Sequence, residues 1–508
     1  MTIISEILKS EEYSLQLVEV NAVKGWSLQS IFEYKKKTKE RKFRHPLNIL
    51  AGICLNEKYK QNVKKLKFST GEIDSENLNL KKYESIRADD LKDAINKTQK
   101  SKVILCFQNA SNEVLDSLEP NQKLVVIENF PLIPYLRSMG LRDQTLIKLR
   151  IGIKGYEMFD KRYAYATQRN PVTNFNLHKR KTIEKVLLEV FNYGNFFNRN
   201  KFALSKVSTN LDDPELTFSL LRKFIFSIFR YRFFGAKNIH RIFQKNQKWK
   251  IGFYKTDTLP LEVRMSNQIE SPNSLFYADP FLYLYKNETF CFYESFDFKS
   301  GKGHIECLKI KGDSTEKLGT VLKEDFHLSF PFIFEWDGRL FMCPETHEVN
   351  QIRLYENINF PDEWEMRSVL IDNISAVDSI LFEHSGYWWL MTNQDNTDLG
   401  DFSSELYLYY SDSPLSDNWM PHESNPIKVD SYGGRNGGVI IENGKILRIG
   451  QCQIFGHYGA SFRIYEICKI SPFEYEEIEV TNSSKLLPDK KYAHHFSFNG
   501  EYVAFDFR

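Results

Sequence analysis

Cysteine is scarce in this chain, and the usual export and membrane signals are missing. The seven cysteines among 508 residues are odd in number and scattered, at Cys54, Cys106, Cys291, Cys307, Cys343, Cys452 and Cys468. This spacing fits neither a disulfide framework nor a zinc site, and it predicts reduced thiols. No run of about eighteen apolar residues occurs, and the opening MTIISEILKSEEYS lacks a basic segment followed by an apolar core. We therefore expect no membrane span, no signal peptide and a cytoplasmic location.

Phosphate-binding turns are also absent. Neither GxGxxG nor GxxxxGK follows a strand-like segment in the first part of the chain, so we expect no cofactor there. The formal net charge of +2 argues against a nucleic-acid partner. Histidines and carboxylates show no metal-type spacing, so no metal is predicted.

Aromatic residues, in contrast, are abundant. They make up 14% of the chain, with 40 Phe and 26 Tyr. Aromatics favour strands, and their ring faces also pack on sugars, so a β-rich core and a carbohydrate site are both open. The length predicts two or three domains.

The first region, residues 1–135, alternates strand-like and helix-like segments. LQLVEVNAV, HPLNILAGICL, KVILCFQ and KLVVIENF are short apolar runs typical of a buried parallel sheet. DDLKDAINKTQK and IISEILKS have a helical pattern. This order predicts a small α/β domain.

The second region, residues 136–248, is basic, and we interpret it as helical. It contains LRDQTLIKLRIGIKG, and in 214–248 apolar residues recur at a spacing of three to four with Arg and Lys between them. A basic amphipathic helix of this kind can lie on an anionic membrane surface, which predicts peripheral contact at the inner membrane face through 214–248. The alternative is a helix packed between the flanking domains.

The third region, residues 249–508, repeats a strand-turn-strand pattern. The five hairpins are FLYLYKNETFCFYE (281–294), FIFEWDGRLFMCPE (332–345), ILFEHSGYWWLMTN (380–393), VIIENGKILRIGQC (439–452) and FSFNGEYVAFDF (496–507). Repeats of this size predict the blades of a five-bladed β-propeller. The last hairpin has no strands after it, so its blade must be completed by chain from before the first repeat, at 249–255.

Alignment of the hairpins by their turns places polar residues at equivalent positions. Eight residues before the aligned turn residue stand Asp279, Phe330, Asp378, Asn436 and Tyr492. Fifteen residues after those positions stand Glu294, Glu345, Asn393, Gln451 and Phe507. In a propeller the start of the first strand and the end of the second lie on one face, so these side chains should line one mouth of the channel.

Such a mouth can serve catalysis or merely solvate strand ends. In the functional interpretation, carboxylates act as acid, base or charge stabiliser near an oxocarbenium-like centre of a sugar. The predicted substrate contacts are Glu294, His304, His327, Asn393, Arg435, Asn436, Gln451, His494 and His495. The histidines can also be structural hydrogen-bonding residues.

From about residue 249 onward the chain resembles the N-terminal domain of plant glucosamine inositolphosphorylceramide transferases and bacterial relatives. The segments that carry the resemblance are YADPFLYLYKNETFCFYESFDFKSGKGHIE, LSFPFIFEWDGRLFMCPETHEVNQIRLYEN, AVDSILFEHSGYWWLMTN and GGRNGGVIIENGKILRIGQ. The resemblance implies a propeller of the kind shared with arabinanase, invertase and levansucrase-type enzymes. It implies catalytic roles for Asp279 as the first aspartate, Asp378 as the middle-blade aspartate and Glu345 as the acid.

Bacterial relatives often carry a formyltransferase-like domain in front of this propeller, where residues 1–135 lie. The segment KVILCFQNASNEVLDSLEPNQKLVVIENFP lacks the histidine that formyl transfer needs. The resemblance therefore implies a degenerate scaffold in this region.

Three classes of function remain open. The first is a glycosyltransferase that uses an activated sugar donor and a saccharide or lipid-linked acceptor in cell-surface polysaccharide or glycolipid biosynthesis. Its mouth should offer cations to a donor phosphate, and Lys302, Arg353 and Arg435 are the candidates. The second is a furanosidase-type glycoside hydrolase, and the third is a non-catalytic propeller that binds a glycan or a partner.

Overall fold

The computed structural model describes residues 248–508 apart from 264–265, 397–399, 455–456 and 491. Nearer the N-terminus it describes six strands and the single positions 116, 118, 174, 177, 178, 181, 182 and 185. Two compact units are present, residues 1–163 with 168–234, and residues 164–167 with 235–508.

The N-terminal unit contains a six-stranded mixed sheet in the order β2-β1-β3-β4-β5-β6. Its strands are β1 Leu15–Val20, β2 Tyr83–Ala88, β3 Val103–Cys106, β4 Lys123–Ile127, β5 Gln144–Ile153 and β6 Phe159–Ala166. β1, β2, β3 and β4 pair in parallel, whereas β5 runs antiparallel to β4. The predicted strands LQLVEVNAV, KVILCFQ and KLVVIENF contain β1, β3 and β4, while HPLNILAGICL and both predicted helices lie outside the described residues.

The helical interpretation of residues 136–248 is wrong at its start. Gln144–Ile153 is a strand, in which Thr145, Ile147, Leu149 and Ile151 are buried. This period of two is that of a strand, and the basic residues between the apolar ones mimic an amphipathic helix over a short window. Segment 214–248 lies outside the described residues. None of the helices that the structure describes is long and apolar enough to span a membrane.

The C-terminal unit consists of five sheets that follow one another along the chain. Blade 1 contains β9 Leu275–Tyr285, β10 Glu288–Asp297, β11 Lys302–Lys311 and β12 Ser314–Leu322. Blade 2 contains β13 Ser329–Trp336, β14 Arg339–Glu345, β15 Gln351–Asn359 and β16 Glu363–Asp372. Blade 3 contains β17 Ala376–His384, β18 Tyr387–Gln394, β19 Glu405–Ser411 and the short β20 Met420–Pro421 and β21 Lys428–Val429.

Blade 4 contains β22 Arg435–Glu442, β23 Lys445–Ile454, β24 His457–Ile470 and β25 Tyr475–Asn482, followed by the one-turn helix α1 Ser483–Leu486. Blade 5 is built from both sides of the repeat region, in the order β26-β27-β7-β8. Its strands are β7 Lys250–Lys255, β8 Asn267–Ile269, β26 Phe496–Phe498 and β27 Tyr502–Phe507. The first strands of neighbouring blades contact each other in a closed ring, β9 to β13, β17, β22, β26 and back to β9. This is the predicted five-bladed propeller, closed as the hairpin pattern requires.

Local turn chemistry sets the strand register. In blades 1 to 4 both residues of the connecting turn have positive φ, as in Lys286-Asn287 and Asp337-Gly338. Two-residue turns of this kind match the twist of the paired strands. The aromatics fill the spaces between blades, as where Phe281 packs against Phe330 with ring centroids 4.9 Å apart. The five cysteines of the propeller are free thiols.

Candidate active site

The first strand of three blades contains, in its first half, a non-glycine residue in the left-handed backbone region. Asp279, Phe330 and Asp378 have φ of 50°, 48° and 50°. At each of them the ladder to the second strand shifts register, so these residues form β-bulges. A bulge re-aims the side chain at the end of a strand, and non-glycine residues with this φ are strained. Two of the three are aspartates, and both turn towards the same group of side chains.

The second strands of blades 1 and 2 each carry a glutamate near or at the end, Glu294 in β10 and Glu345 in β14. Glu294 pairs with Ala278 and Glu345 pairs with Ser329, each beside the bulge of its own blade. The four carboxyl groups at the mouth, Asp279, Glu294, Glu345 and Asp378, are 5%, 6%, 7% and 2% exposed. Burial of so many acids is costly unless they are paired or protonated.

Arg435 of blade 4 links two of these acids. Its Nε donates to Oδ2 of Asp378 at 2.6 Å and its Nη2 donates to Oδ1 at 3.3 Å. The same Nη2 lies 3.8 Å from Oε2 of Glu345. Gln451 Nε2 also donates to Asp378, at 2.8 Å. One guanidinium therefore joins side chains of blades 2, 3 and 4.

The acids differ in how readily they give up a proton. Burial and the charges of Asp279 and Glu345 raise the pKa of Glu294 well above its usual range. Burial also raises the pKa of Asp378, to about 7, against the opposing charge of Arg435. In Glu345 burial acts in the same direction, but His347 and Arg435 prevail and lower the pKa. The protonated form is therefore favoured at Glu294, whereas the ionised form is favoured at Glu345.

Two histidines contact the glutamates. Nδ1 of His347 lies 2.7 Å from Oε1 of Glu345, and this contact raises the pKa of the imidazole. His327 accepts the Gly303 N–H at Nδ1, at 2.8 Å, so a neutral ring carries its proton on Nε2. That nitrogen faces Oε1 of Glu294 at 3.7 Å, and burial lowers the pKa of the ring.

Asp279 belongs to blade 1, but its side chain and backbone contact residues of the segment that forms blade 5. His494 Nε2 lies 3.3 Å from its Oδ1, and the Asp279 N–H donates to Asp506 at 3.1 Å. Asp506 is fully buried and was missed by the hairpin alignment, which placed Phe507 at the equivalent position. Its signal in the sequence is a lone acid inside the apolar strand YVAFDF.

The predicted amides have structural partners. Asn393 Nδ2 donates to the carbonyls of Glu405 and Gly434, both at 2.8 Å. Its Oδ1 accepts the N–H of Asn436 at 2.8 Å, and Asn436 Nδ2 donates to the carbonyl of Asp378 at 3.0 Å. These amides hold the backbones of blades 3 and 4 together beneath the acids.

His304 lies apart from the acidic cluster. It pairs across the ladder with Ser295, the neighbour of Glu294, and so lies on the opposite face of the blade. Its Nε2 is 3.3 Å from Glu306 Oε1.

His495 is buried among aromatics rather than among the acids. Its ring centroid lies 4.4 Å from that of Phe281 and 5.6 Å from that of Phe330. Burial lowers its pKa to about 4, so this ring is neutral at physiological pH.

Tyr458 of β24 is a further residue of the site that the alignment did not include. The Arg435 guanidinium lies 5.0 Å from the centre of its ring, and the His494 ring lies at 5.1 Å. Burial raises the pKa of its phenol well above the usual range. Tyr458 belongs to a third strand, whereas the alignment compared only the first two strands of each blade.

The fold and these contacts define a five-bladed β-propeller with a buried acidic mouth. Carboxyl groups with separated pKa values are what acid-base chemistry at a glycosidic bond requires.

Residues 259–502 match the family model described as the N-terminal domain of glucosamine inositolphosphorylceramide transferase 1. The transferase of that name from Arabidopsis thaliana is 38% identical over 213 residues, which are 41% of this chain and 27% of the relative. The enzyme from Oryza sativa subsp. japonica is 37% identical over 212 residues, 41% of this chain and 28% of the relative. The match to this domain is the one that the sequence resemblance predicts, and the chain spans about a quarter of the length of these relatives.

The solved structures that match are more distant. A family 117 glycoside hydrolase of Zobellia galactanivorans has a TM-score of 0.34 at 12% identity, covering 50% of this chain and 90% of that one. The catalytic domain of an α-L-arabinofuranosidase of Coprinopsis cinerea gives 0.34 at 12% identity, covering 49% and 82%. With scores this low, the propeller assignment rests on the hydrogen-bonded strands of the chain itself.

Proposed function

We propose that this chain is a carbohydrate-active enzyme that transfers a glycosyl group at the acidic mouth of its propeller. The observation that carries the proposal is the convergence of Asp279, Glu294, Glu345 and Asp378 from three blades into one buried cluster. Acids on edge positions that merely solvate strand ends would be exposed and independent of one another. The names of the plant relatives support a sugar donor and a glycolipid acceptor in general terms.

The different pKa shifts of the acidic side chains support distinct roles for them. Glu294, whose pKa is raised by burial and by the acids around it, is suited to donate a proton to a leaving group. Asp279 and Glu345 are suited to stabilise positive charge that develops on the sugar ring. The sequence resemblance gave the acid role to Glu345, but the contacts with His347 and Arg435 keep that side chain ionised.

Hydrolysis is the second candidate. It is favoured because the cations expected to bind a donor phosphate already have partners within the protein. Arg435 is engaged by Asp378 and Glu345, and Lys302 donates to the carbonyl of Asp325. Arg353 donates from Nε to Gln351 at 2.7 Å. A phosphate of an activated donor would have to displace these partners, whereas a neutral glycan would not.

The domain limits 1–135, 136–248 and 249–508, the cytoplasmic location and membrane contact through 214–248 are further proposals that rest on the sequence. So does a degenerate formyltransferase-like N-terminal domain. Flotation of the full chain with anionic and with neutral vesicles tests the membrane contact, since binding to neither would contradict it.

The experiment that tests the function is a product assay on the full chain. Nucleotide sugars with saccharide and glycolipid acceptors test transfer, and free oligosaccharides test hydrolysis. Asp279→Asn and Asp378→Asn should each lower turnover at least about a hundredfold without unfolding the protein. The matched control is Asp372→Asn, which removes an exposed carboxylate of blade 2 that accepts from the side chains of Gln351 and Asn373, each at 2.9 Å.

The three outcomes separate the candidates. Product from an activated donor supports transfer, and release of sugar from free glycans supports hydrolysis. Binding of a glycan that is equally strong in all three variants, with no product, would leave a binding propeller and remove these acids from a mechanism.

A further inference from the structure

Asp506 lies at the centre of a buried group of polar residues, and the proposed chemistry gives it no role. Its Oδ1 accepts the backbone N–H groups of His494 and His495, each at 3.0 Å. Its Oδ2 accepts the N–H of Asp279 at 3.1 Å. The carboxylate therefore fixes the backbone at the bulge that aims Asp279 into the mouth, and it fixes the segment that carries His494.

The ring of His494 lies between two carboxylates. Its Nδ1 is 2.9 Å from Asp506 Oδ1, and its Nε2 is 3.3 Å from Asp279 Oδ1. The Trp249 ring packs on it with centroids 4.2 Å apart, and the Tyr458 ring lies at 5.1 Å. Side chains from β9, β27, β24 and the segment before β7 thus enclose the imidazole.

This group raises the question of a metal ion, because ligand atoms of Asp279, His494 and Asp506 lie within 4.8 Å of one another. The ring argues against a single ion, since its two nitrogens face different carboxylates and an ion binds only one of them. An imidazolium, with a proton on each nitrogen, places positive charge beside both carboxylates at once.

The electrostatic surroundings favour that cation. Burial lowers the pKa of His494, but the charges of Asp506 and Asp279 outweigh it and raise the pKa to about 10. His494 in turn lowers the pKa of Asp506 against the effect of burial. The other titratable groups that act on this unit are Glu294, Asp378 and His327 across the mouth, His495 beside Asp506 and Tyr458 against the imidazole.

We propose that Asp506 and His494 position the Asp279 carboxylate, with His494 as a permanent imidazolium clamped between the two acids. The inference rests on the proposed function, because it gives Asp279 a working orientation. His494 and Asp506 act through Asp279 and are positioning residues. The clamp also explains why Asp279 keeps a strained φ of 50°, since Asp506 bonds the N–H of that same residue.

The test combines ring protonation with kinetics. In full-length protein labelled with ¹⁵N-histidine, His494→Gln identifies the His494 ring signals, and we expect both ring nitrogens to be protonated at pH 8. Asp506→Asn should lose the second proton, since it keeps the shape and removes the charge. With the substrate found above, it should lower kcat about a hundredfold and change KM little, as expected for a misplaced catalytic group.

The control is His422→Gln, which removes a buried imidazole beyond the outer strand of blade 3 and should leave both readouts unchanged. A neutral His494 ring at pH 8 in folded protein would overturn the inference, whether or not turnover has been found. So would Ca²⁺ or Zn²⁺ that raises Tm in wild type and not in Asp506→Asn, since the cation would then be a metal. A doubly protonated His494 ring in a protein that turns over no sugar would contradict the proposed function. It would still support the imidazolium between Asp279 and Asp506.

Discussion

Arg435 offers the sharpest test of the electrostatics at the mouth. Arg435→Met keeps most of the length and apolar volume of the side chain and removes its charge. Asp378 then loses two hydrogen bonds, of 2.6 and 3.3 Å, and keeps Gln451 as a donor. Glu345 loses a positive charge at 3.8 Å and keeps His347.

The size of the effect follows from burial. A unit charge pair at about 4 Å contributes roughly 4 kcal/mol at an effective dielectric constant near 20. Removal of one partner from a buried pair costs about 3–5 kcal/mol, because the other charge stays buried. We expect Arg435→Met to lower the free energy of unfolding by this amount at pH 8. The loss should shrink to about 1–2 kcal/mol at pH 5.5, because Asp378, whose pKa is already about 7 beside Arg435, then takes up a proton.

Urea denaturation followed by tryptophan fluorescence measures this, since six of the seven tryptophans lie between positions 249 and 419. The control is Arg463→Met in the same blade, whose partner Glu479 lies at 2.6 Å with side chains 35% and 34% exposed. Its loss should stay below about 1 kcal/mol at both pH values. A loss under about 1 kcal/mol for Arg435→Met at pH 8, or one that does not depend on pH, would refute the reasoning.

Three further changes probe the acids and the fold. Glu294→Gln should raise Tm by about 2–4 °C at pH 8 and abolish turnover. A carboxyl group whose pKa is raised in the folded state destabilises that state at pH values above the usual pKa of the group. A lower Tm in thermal scans would contradict this. Glu477→Gln should lower the free energy of unfolding by about 3 kcal/mol in urea titrations at pH 7. The reason is that Arg448 lowers the Glu477 pKa from 4.5 to about 2 against burial. This stabilisation is present above pH 4.5 and is lost as the pH falls towards 2. Glycan binding measured by calorimetry should not change in that variant. Gly459→Ala should lower Tm, since its φ is +60° and a Cβ would lie 2.7 Å from the Trp249 ring; an unchanged melting curve would show that the ring moves freely.

The propeller was predictable because its information is local. Each hairpin combines strict strand alternation with a two-residue turn, as between Tyr285 and Glu288, so counting from the turn finds the inward face. The same count brought Asp279, Glu294, Glu345 and Asp378 to one mouth.

The count fails where the aligned residue takes a different place in the turn. In blade 5 the Asn499 N–H donates to the carbonyl of Tyr502, so Gly500 is the first residue of the turn, whereas the aligned residue of the other blades is the second. This offset of one residue shifts the inward face from Phe507 to Asp506, and the lone acid within YVAFDF is the local feature that marks the change. Side-chain partners such as Arg435 for Asp378 could not be predicted from the sequence either, because contacts between blades depend on how the ring of five blades closes.

The strand Gln144–Ile153 shows a different limit. Its apolar residues alternate, but Lys and Arg between them resemble the polar face of a helix when the surrounding region is assumed to be helical. Over Gln144–Ile153 alone the apolar period is two, which is that of a strand and differs from the spacing of three to four in 214–248.

The closing blade also sets a schedule for assembly during protein synthesis. Asp506 lies 227 residues after Asp279, whose backbone it bonds. At about 5–20 residues per second, a ribosome needs roughly 10–45 s to travel between them. Throughout that interval the nascent chain has made Asp279 but has not yet made the residue that bonds its backbone. Asp279 therefore cannot take its position at the mouth until the last strand of blade 5 has been synthesised.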